Sequence, residues 1–370
     1  MSASVPLFLV SGNTMNSSCS QPIVAELCHI VYDIDYPIRK RDPSMTDKQN
    51  TLEIIHFGQP TRVFAGLHPV QQTCYFGMNH ENAEGRGHEQ PLGSVWSDIW
   101  GTVWHKEHDG VMGFPRGNPL ADLRDMKSYV WPDPNDERLV QQIYTMAEGC
   151  NRETHFLCGG QRDTLWEKSY MLCGMENMMC NFFTEPEATR ELLHHIMDFQ
   201  LGIAQHYLNI GIEVIGCGDD LGTQNAPLLS PAIVQEFLVP EYRRLFSLYK
   251  QHNILINFHS CGHIIPLLET FIDLGIDILN PVQATANDLT EVRRITQGRM
   301  ALAGGLSSDM LVRDTPAHIY AEVQRLLWLL GRDGGYFCGP DQGMPWPAEN
   351  IAAYQQAMDE CSLYPLREPE

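Results

Sequence analysis

The stretch Ile254-Leu-Ile-Asn-Phe-His-Ser-Cys-Gly-His263 decides the fold, because an apolar run ends there in residues that bind metals and polar ligands. Similar short apolar runs recur through the second half of the chain, at Glu213–Gly216, Ile276–Leu279, Met300–Ala303 and Gly335–Phe337. Each has the length and composition of a strand that is buried on both faces of a parallel sheet. The recurrence predicts a series of parallel strands.

Three helices are predicted between these runs. A hydroxyl side chain followed closely by proline, which is typical of a helix start, opens each of them. The predicted spans run from Thr184 to near Gly211, from Ser230 toward His252 with a bend at Pro240, and from Thr315 to Gly331. Strands and helices that alternate at this spacing indicate βαβ units.

Polar residues follow every predicted strand. They are Cys217-Gly-Asp219-Asp220, His259-Ser-Cys261-Gly-His263, Asn280-Pro-Val-Gln283, Gly304-Gly-Leu-Ser307 and Cys338-Gly-Pro-Asp341-Gln342. In a (β/α)₈ barrel these segments converge on the C-terminal mouth, where barrel enzymes carry their chemistry. We therefore predict an α/β protein with a (β/α)₈ TIM barrel over residues 46–370 and an irregular N-terminal arm over residues 1–45. An open doubly wound sheet is the alternative, although the sequence lacks GxGxxG after a strand and lacks GxxxxGK[ST].

Composition excludes several classes of partner. The 370 residues are 43% hydrophobic and 19% charged, as expected for a globular protein, and 25 basic against 46 acidic residues give a net charge of −21. This charge repels nucleic acid and anionic membrane surfaces. The eleven cysteines are irregularly spaced, and no export signal or membrane span is visible, so we expect a reducing cytoplasm. A homodimer is left open.

His259 and Cys261 are the first candidate metal ligands. On an extended segment, residues two apart point to the same side, so an imidazole nitrogen and a thiolate can reach one ion. Zinc accepts this mixed pair, whereas Mg²⁺ and Ca²⁺ prefer oxygen. Cys338, which ends a later strand, is the first choice for the third ligand. Further choices for the third ligand are Cys217, Glu213, Asp219 and Asp220. The competing interpretation is that His259 and Cys261 bind no metal and are ordinary core side chains.

Other polar side chains are candidates for catalysis and substrate binding. Adjacent carboxylates on an extended segment point in opposite directions, so at most one of Asp219 and Asp220 is expected to face the mouth, while the other caps a turn. Both are kept with His259 as catalytic candidates. The amides that we assign to substrate binding are Gln224, Asn280 and Gln342, although side-chain amides at strand ends often only tie loops together.

Trp96, Trp100 and Trp104 form an aromatic cluster with a spacing of four residues. This spacing would place them on one side of a helix. Such a cluster either packs internally or forms a wall of a small-molecule pocket. We include Trp96 and Trp100 among the predicted substrate-binding residues.

Several motifs, in order along residues 46–360, resemble the uroporphyrinogen decarboxylase superfamily. Within it they are most similar to the cobamide-dependent methyltransferases, which include methylcobamide:coenzyme M methyltransferases and O-demethylases. The motifs are Asn50-Thr-Leu-Glu, Pro60-Thr-Arg62-Val, Asp98-Ile-Trp100-Gly, Trp131-Pro-Asp-Pro134, Gly174-Met-Glu176, Gly-Asp219-Asp220-Leu-Gly-Thr-Gln224, Leu-Ser230-Pro231, Phe-His259-Ser-Cys261-Gly262, Ile-Leu-Asn280-Pro-Val-Gln283, Gly334-Gly335-Tyr and Pro347-Ala-Glu349-Asn350-Ile.

The resemblance implies a (β/α)₈ barrel that holds zinc through His-x-Cys and a distal cysteine. His259 and Cys261 match directly; Cys338 lies at a comparable interval, while Gln342 occupies the position of the family's Pro-x-Cys cysteine. The Arg-Gln-Ala-Gly-Arg-Tyr motif of true decarboxylases is missing from the sequence. A cobalamin-binding Asp-x-His-x-x-Gly is missing too, so the corrinoid is expected on a separate partner protein.

The sequence therefore predicts a zinc-dependent methyltransferase. Its methyl group would pass between a small methylated substrate, with a methoxylated aromatic as first choice, and the cobalt of a corrinoid (cobalamin) protein. A metal-independent decarboxylase of the uroporphyrinogen type is the second hypothesis. A non-catalytic barrel that binds a ligand or a corrinoid is the third.

Overall fold

The computed structural model of this chain describes residues 45–77, 87, 90–109 and 111–369. Of the arm predicted over residues 1–45, all but the last residue lies outside these ranges. From residue 137 onward, the chain forms the predicted alternation of parallel strands and helices.

Seven parallel strands form one curled sheet in the order β1-β5-β6-β7-β8-β9-β10 in the described residues. A separate three-stranded antiparallel sheet, β2-β3-β4, is inserted after β1. The bounds are β1 Val70–Thr73, β2 Val95–Ser97, β3 Val103–His105, β4 Phe114–Gly117, β5 Phe156–Arg162, β6 Val214–Gly218, β7 Leu255–His259, β8 Ile278–Val282, β9 Ala301–Leu306 and β10 Tyr336–Pro340. The five strands predicted from the apolar runs are β6 to β10.

The α-helices of the described residues begin at α1 Asp47–Ile55. The others are α2 Glu137–Ala147, α3 Trp166–Cys173, α4 Met175–Thr184, α5 Pro186–Ile210, α6 Pro231–Ile233, α7 Val239–Gln251, α8 Leu268–Asp273, α9 Leu289–Thr296, α10 Ser308–Arg313, α11 Pro316–Gly331 and α12 Ala348–Cys361. The predicted helices correspond to α5, to α6 with α7, and to α11. In the described part of the chain, none of the helices combines the length and apolar character that crossing a membrane requires.

Just before Pro240, where the sequence predicts a bend, a π-helical turn, Val234–Leu238, separates α6 from α7. Proline has no N–H and its ring collides with the carbonyl four residues earlier. The wider turn relieves this collision, and the N–H of Val239 bonds to the carbonyl of Val234 instead.

The first residues of the described chain lie along the open edge of β10. The backbone N–H of Cys338 donates to the carbonyl of Phe64 over 2.8 Å, and that of Gly335 donates to Ile54 over 3.0 Å. Because β1 follows shortly after this segment and pairs with β5, the sheet curls round on itself. The predicted barrel architecture is confirmed.

Two cores follow from the alternation of side chains along the strands. Phe156, Val214, Ile278 and Phe337 belong to the core inside the curled sheet. The larger core, which includes their neighbours Leu157, Ile215, Leu279 and Tyr336, lies between the sheet and the helices. In the regular stretches of the barrel strands, the place of a residue in this alternation tells whether it faces the barrel interior or the helices.

The tryptophan cluster lies in a β-hairpin, so the one-sided arrangement that its spacing would give in a helix does not apply. Trp96 lies in β2 and pairs with Trp104 in β3, with their rings stacked 6.4 Å apart. Trp100 lies in the turn between the strands, where the carboxylate of Asp98 accepts hydrogen bonds from the backbone N–H groups of Trp100 and Thr102. Strand pairing joins Trp96 and Trp104, which are eight residues apart, whereas Trp100 packs against Trp131 and Phe199 instead.

Candidate metal centre

Asp220, His259 and Cys261 bring together three ligand atoms at the mouth of the barrel. One oxygen, one nitrogen and one sulfur all lie within 4.8 Å of one another. His259 Nε2 lies 3.3 Å from Cys261 Sγ and 3.4 Å from Asp220 Oδ1. Within the described ranges, this is the one group of three or more such residues close enough to share an ion.

Strand register places His259 beside the end of β6. Gly218 is its partner on β6, and the backbone N–H of Asp219 donates to the His259 carbonyl over 3.0 Å. A Cβ at position 218 would lie only 2.7 Å from the Cβ of His259. Glycine at this position therefore lets the imidazole occupy the mouth.

A chain of two amides orients the His259 ring. Its Nδ1 lies 3.0 Å from Asn280 Oδ1, and Asn280 Nδ2 donates to Asn257 Oδ1 over 2.7 Å. Because the Asn280 amide nitrogen donates to Asn257, its oxygen is the atom that accepts a hydrogen bond from the Nδ1–H group of His259. The tautomer assigned in this way leaves the lone pair of Nε2 facing Asp220 and Cys261, as a metal ligand requires.

Two polar contacts fix Cys261. Its backbone N–H donates to Asp220 Oδ1 over 3.0 Å, and its sulfur accepts a hydrogen bond from Gln342 Nε2 over 3.0 Å. Burial and the Asp220 carboxylate raise the pKa of the Cys261 thiol to about 12, against the opposing effects of Gln342 and the charge of Arg162. Without a cation the sulfur therefore carries its proton, and a bound cation displaces it.

The loops after β6 and β7 are packed backbone to backbone. Gly222 N–H donates to the Cys261 carbonyl over 3.1 Å, and His263 N–H donates to Thr223 over 2.7 Å. Gly262 has a φ of +84°, and a Cβ there would lie 2.4 Å from the carbonyl carbon of Gly222. Two facing glycines thus permit the close approach that brings Asp220 to Cys261.

The paired carboxylates lie on opposite sides, as alternation predicts, and this removes Asp219 from the catalytic candidates. Its buried carboxylate accepts from the N–H groups of Leu165 and Glu167, over 2.9 and 2.8 Å, and from the Tyr242 hydroxyl. Burial, reinforced by the Glu167 charge, raises the pKa of Asp219 well above its usual value. Asp219 therefore supports the start of α3, and Asp220 alone reaches the mouth.

Cys338 does not join the group, which corrects the first choice for the third ligand. Cys338 is fully buried in the core between the sheet and the helices. Its neighbour on the strand, Phe337, faces the opposite way, into the barrel interior. Burial raises the pKa of the Cys338 thiol to about 12. Cys217 packs in the same outer core. Glu213 precedes β6 at the opposite end of the barrel and pairs with Lys48 over 2.7 Å.

The remaining substrate-binding candidates divide between the mouth and other places. Gln342 contacts Cys261 directly, and Asn280 contacts His259. Gln224 is exposed in the loop after β6. Trp100 is only 2% exposed and packs on Phe199 at 4.7 Å, and Trp96 stacks in the hairpin, so neither is shown lining an open pocket.

Two mouth residues were missed in the sequence. Asn257 lies two positions before His259 on β7, so strand alternation could have placed both on the inner face. Arg162 is the last residue of β5. The apolar run that begins this strand, Phe156-Leu-Cys158, is interrupted by two glycines, so the sequence pattern does not indicate a strand there. In register, Arg162 pairs with Gly218, which pairs with His259.

Comparison with known proteins agrees with the barrel fold. The uroporphyrinogen decarboxylase (URO-D) family model matches residues 111–361. A methyltransferase from Methanosarcina mazei has a similar fold, with a TM-score of 0.62 at 18% identity over 85% of this chain and 99% of that one. Dihydropteroate synthase from Xanthomonas albilineans matches more weakly, with a TM-score of 0.33 at 12% identity over 53% of this chain and 65% of the other. Among curated proteins none matches. Because the family model covers well over half of its length, the chain belongs to the uroporphyrinogen decarboxylase family.

Proposed function

We propose that this protein is a zinc-dependent methyltransferase that moves a methyl group between a small methylated substrate and the cobalt of a corrinoid carried on a separate protein. The observation that carries the proposal is the convergence of Asp220, His259 and Cys261 at the barrel mouth. The fold shared with the Methanosarcina mazei methyltransferase supports it. A methoxylated aromatic is our choice of substrate.

The donor set fits zinc. One nitrogen, one sulfur and one oxygen are ligands that zinc accepts together, whereas the sulfur disfavours Mg²⁺ and Ca²⁺. Three protein ligands are also typical of catalytic zinc sites, which keep a further position for substrate. Asp220 supplies the ligand that the sequence assigned to Cys338.

Zinc bound here would act as a Lewis acid toward the ether oxygen or thiol of the substrate and make it a better leaving group or nucleophile. The chain prepares this site. Asn280, itself held by Asn257, keeps the proton of His259 on Nδ1. Gln342 donates to the Cys261 sulfur over 3.0 Å and stabilises negative charge there. Asp220 accepts from the Cys261 N–H and so holds two prospective ligands together.

Metal content distinguishes the proposed ligand set from the one expected from sequence. We predict stoichiometric zinc in the purified protein, and zinc well below one per chain in Cys261→Ser, His259→Ala and Asp220→Asn. Cys338→Ser is the matched control, because it makes the same substitution in the outer core, and it should retain zinc. Elemental analysis of folded protein measures this; loss of zinc in Cys338→Ser, or retention in Cys261→Ser, would contradict the assignment.

Methyl transfer itself is tested with free cob(I)alamin as acceptor and a methoxylated aromatic as donor. The conversion of cob(I)alamin to methylcob(III)alamin is followed by absorbance. The variants that lose zinc should also lose this methyl-transfer activity. If the protein releases CO₂ from a carboxylated substrate, and exhaustive chelation leaves this decarboxylation at its full rate, the protein is a metal-independent decarboxylase instead.

A further inference from the structure

We infer that a cavity inside the barrel, below the candidate metal group, holds ordered water that Gln72 and Asn257 bind, and that this water fixes the orientation of His259 from a distance. Gln72 is then a positioning residue for a metal ligand that it does not touch. The inference goes beyond the proposed function and does not depend on it, because the state of the imidazole ring can be measured in protein without metal. Three observations carry it: two amides that face one cavity, the size of that cavity, and the direction of the hydrogen bonds that lead from His259 to it.

Strand alternation turns Gln72 into the barrel. The residues on either side of it in β1 both point outward to α2. Gln71 Nε2 donates to the Met146 carbonyl over 2.6 Å, and Thr73 Oγ1 donates to the Ile143 carbonyl over 2.5 Å. Because successive side chains of a strand point to opposite faces, Gln72 faces the barrel interior, where it lines a cavity.

Asn257 lines the same cavity from β7. It lies two residues before His259, and its Oδ1 accepts a hydrogen bond from Asn280 Nδ2 over 2.7 Å. Among the residues that the structure describes, neither Asn257 Nδ2 nor the amide of Gln72 has a hydrogen-bond partner. Polar groups inside a protein are nearly always hydrogen-bonded, either to the chain or to ordered water. These two amides therefore require a polar ligand in the cavity.

The size of the cavity fits water rather than part of the substrate. Gly216 lies beside Asn257 in the strand register and Gly160 lies beside Gly216, and a Cβ at either glycine would meet nothing closer than 3.6 Å. The cavity that these glycines leave, with Leu67 and Val214 among its other walls, has a volume of about 30 Å³. One water molecule needs about 10–15 Å³, whereas a cavity that takes benzene measures about 150 Å³. One or two water molecules therefore fit, and an aromatic ring does not.

The hydrogen bonds from His259 to the cavity all run in one direction. His259 Nδ1–H donates to Asn280, and Asn280 Nδ2 donates to Asn257. The next donor is Asn257 Nδ2, at the cavity. Water bound there accepts from Asn257 and donates to Gln72 Oε1, so the chain of hydrogen bonds ends on an acceptor.

The far end of this chain decides which nitrogen of His259 carries the proton. An asparagine amide can turn over and exchange its oxygen for its nitrogen. Without an acceptor in the cavity, Asn257 and Asn280 can both turn over, and Asn280 then donates to His259 Nδ1. The ring proton moves to Nε2, and the lone pair that faces the other two candidate ligands is lost.

Side-chain ¹⁵N NMR of the histidines in the metal-free full chain tests the inference. The His259 signals are those that His259→Ala lacks, and their shifts show which ring nitrogen carries the proton. In the wild type we expect the proton on Nδ1. In Gln72→Met, which keeps the length of the side chain and removes its polar group, we expect a second population with the proton on Nε2. Zinc affinity should fall in proportion, because only the Nδ1–H form can bind, and an equal mixture of the two forms would raise Kd about twofold.

Gln71→Met is the matched control, because it makes the same substitution at the adjacent residue, on the outer face of the strand, and should leave the His259 tautomer unchanged. Gln72→Glu keeps an acceptor in the cavity and should keep the proton on Nδ1. Urea denaturation checks that the variants are folded. A high-resolution crystal structure of the wild type, which needs no variant to fold, should show water in contact with Gln72 and Asn257.

The inference is overturned if that cavity is dry, if the metal-free wild type carries the proton on Nε2, or if folded Gln72→Met keeps the wild-type tautomer. It is also overturned if Gln71→Met changes the tautomer as much as Gln72→Met does. Its failure is separable from that of the proposed function. Zinc binding and methyl transfer would then persist with a tautomer that ignores Gln72, whereas a Gln72-dependent tautomer in protein that neither binds zinc nor transfers methyl would keep the positioning role and remove the methyltransferase.

Discussion

At the scale of single residues, the site depends on which atom of each side chain is left available. Of the two ring nitrogens of His259, Nδ1 is hydrogen-bonded to Asn280. The other, Nε2, therefore faces Cys261 and Asp220. Partners of this kind typically change metal affinity by 10- to 100-fold when they are removed. Asn280 was predicted as a substrate-binding residue, but its hydrogen bonds make it a positioning residue for His259.

Asn280→Ala should weaken zinc binding by about tenfold or more, because the ring loses the acceptor that fixes its tautomer and orientation. Zinc affinity can be measured by competition with a chromophoric chelator. Gln224→Ala is the control, since Gln224 is an exposed amide at the same mouth and should have no effect. Equal zinc affinities in Asn280→Ala and the wild type would refute the positioning role.

At the scale of elements, neighbouring strands and the loops that follow them form the site. Asp220 comes from the loop after β6, Cys261 from the loop after β7 and Gln342 from the loop after β10. The facing glycines at 222 and 262 hold two of these loops together. On the other side of β6, Asp219 accepts two N–H groups at the start of α3, whose own N-cap residue makes no side-chain hydrogen bond. The adjacent residues Asp219 and Asp220 therefore have different roles: Asp220 belongs to the candidate site, and Asp219 stabilises the start of α3.

Asp219→Ala should lower the free energy of unfolding by about 3 kcal/mol or more, because buried donors lose their acceptor. Asp219→Asn, which keeps one oxygen acceptor, should cost less. Urea denaturation measures both, and folded Asp219→Ala should still contain zinc. A variant of normal stability that lacks zinc would instead place Asp219 in the metal site.

At the scale of the whole molecule, the barrel core does not depend on the metal. The inner and outer cores consist of apolar side chains that lie away from the mouth, and hydrogen bonds within the chain already align the three ligand residues. The site is therefore preformed. Zinc bound at the proposed site would add stability by mass action rather than by creating the fold, by about 2.7 kcal/mol at a free concentration one hundred times Kd.

Removal of zinc with a chelator should therefore leave the circular dichroism spectrum unchanged and lower Tm by several degrees, and zinc should restore it. Cys261→Ser should show the lower Tm with or without added zinc. A chelated protein that loses its secondary structure would show that the metal is part of the fold, as in small zinc domains.

Local patterns in the sequence were sufficient to predict βαβ units, strands β6 to β10 and the pairing of His259 with Cys261, because each depends on residues close together in the chain. The alternation of Asp219 and Asp220 was equally local, but which of them faces the mouth was not. Tertiary structure decided which further side chain lies beside His259 and Cys261. It turned Cys338 into the outer core, brought Asp220 to Cys261 through the facing glycines, and set Arg162 level with His259 across Gly218, since strand register and loop packing join residues that are tens of positions apart.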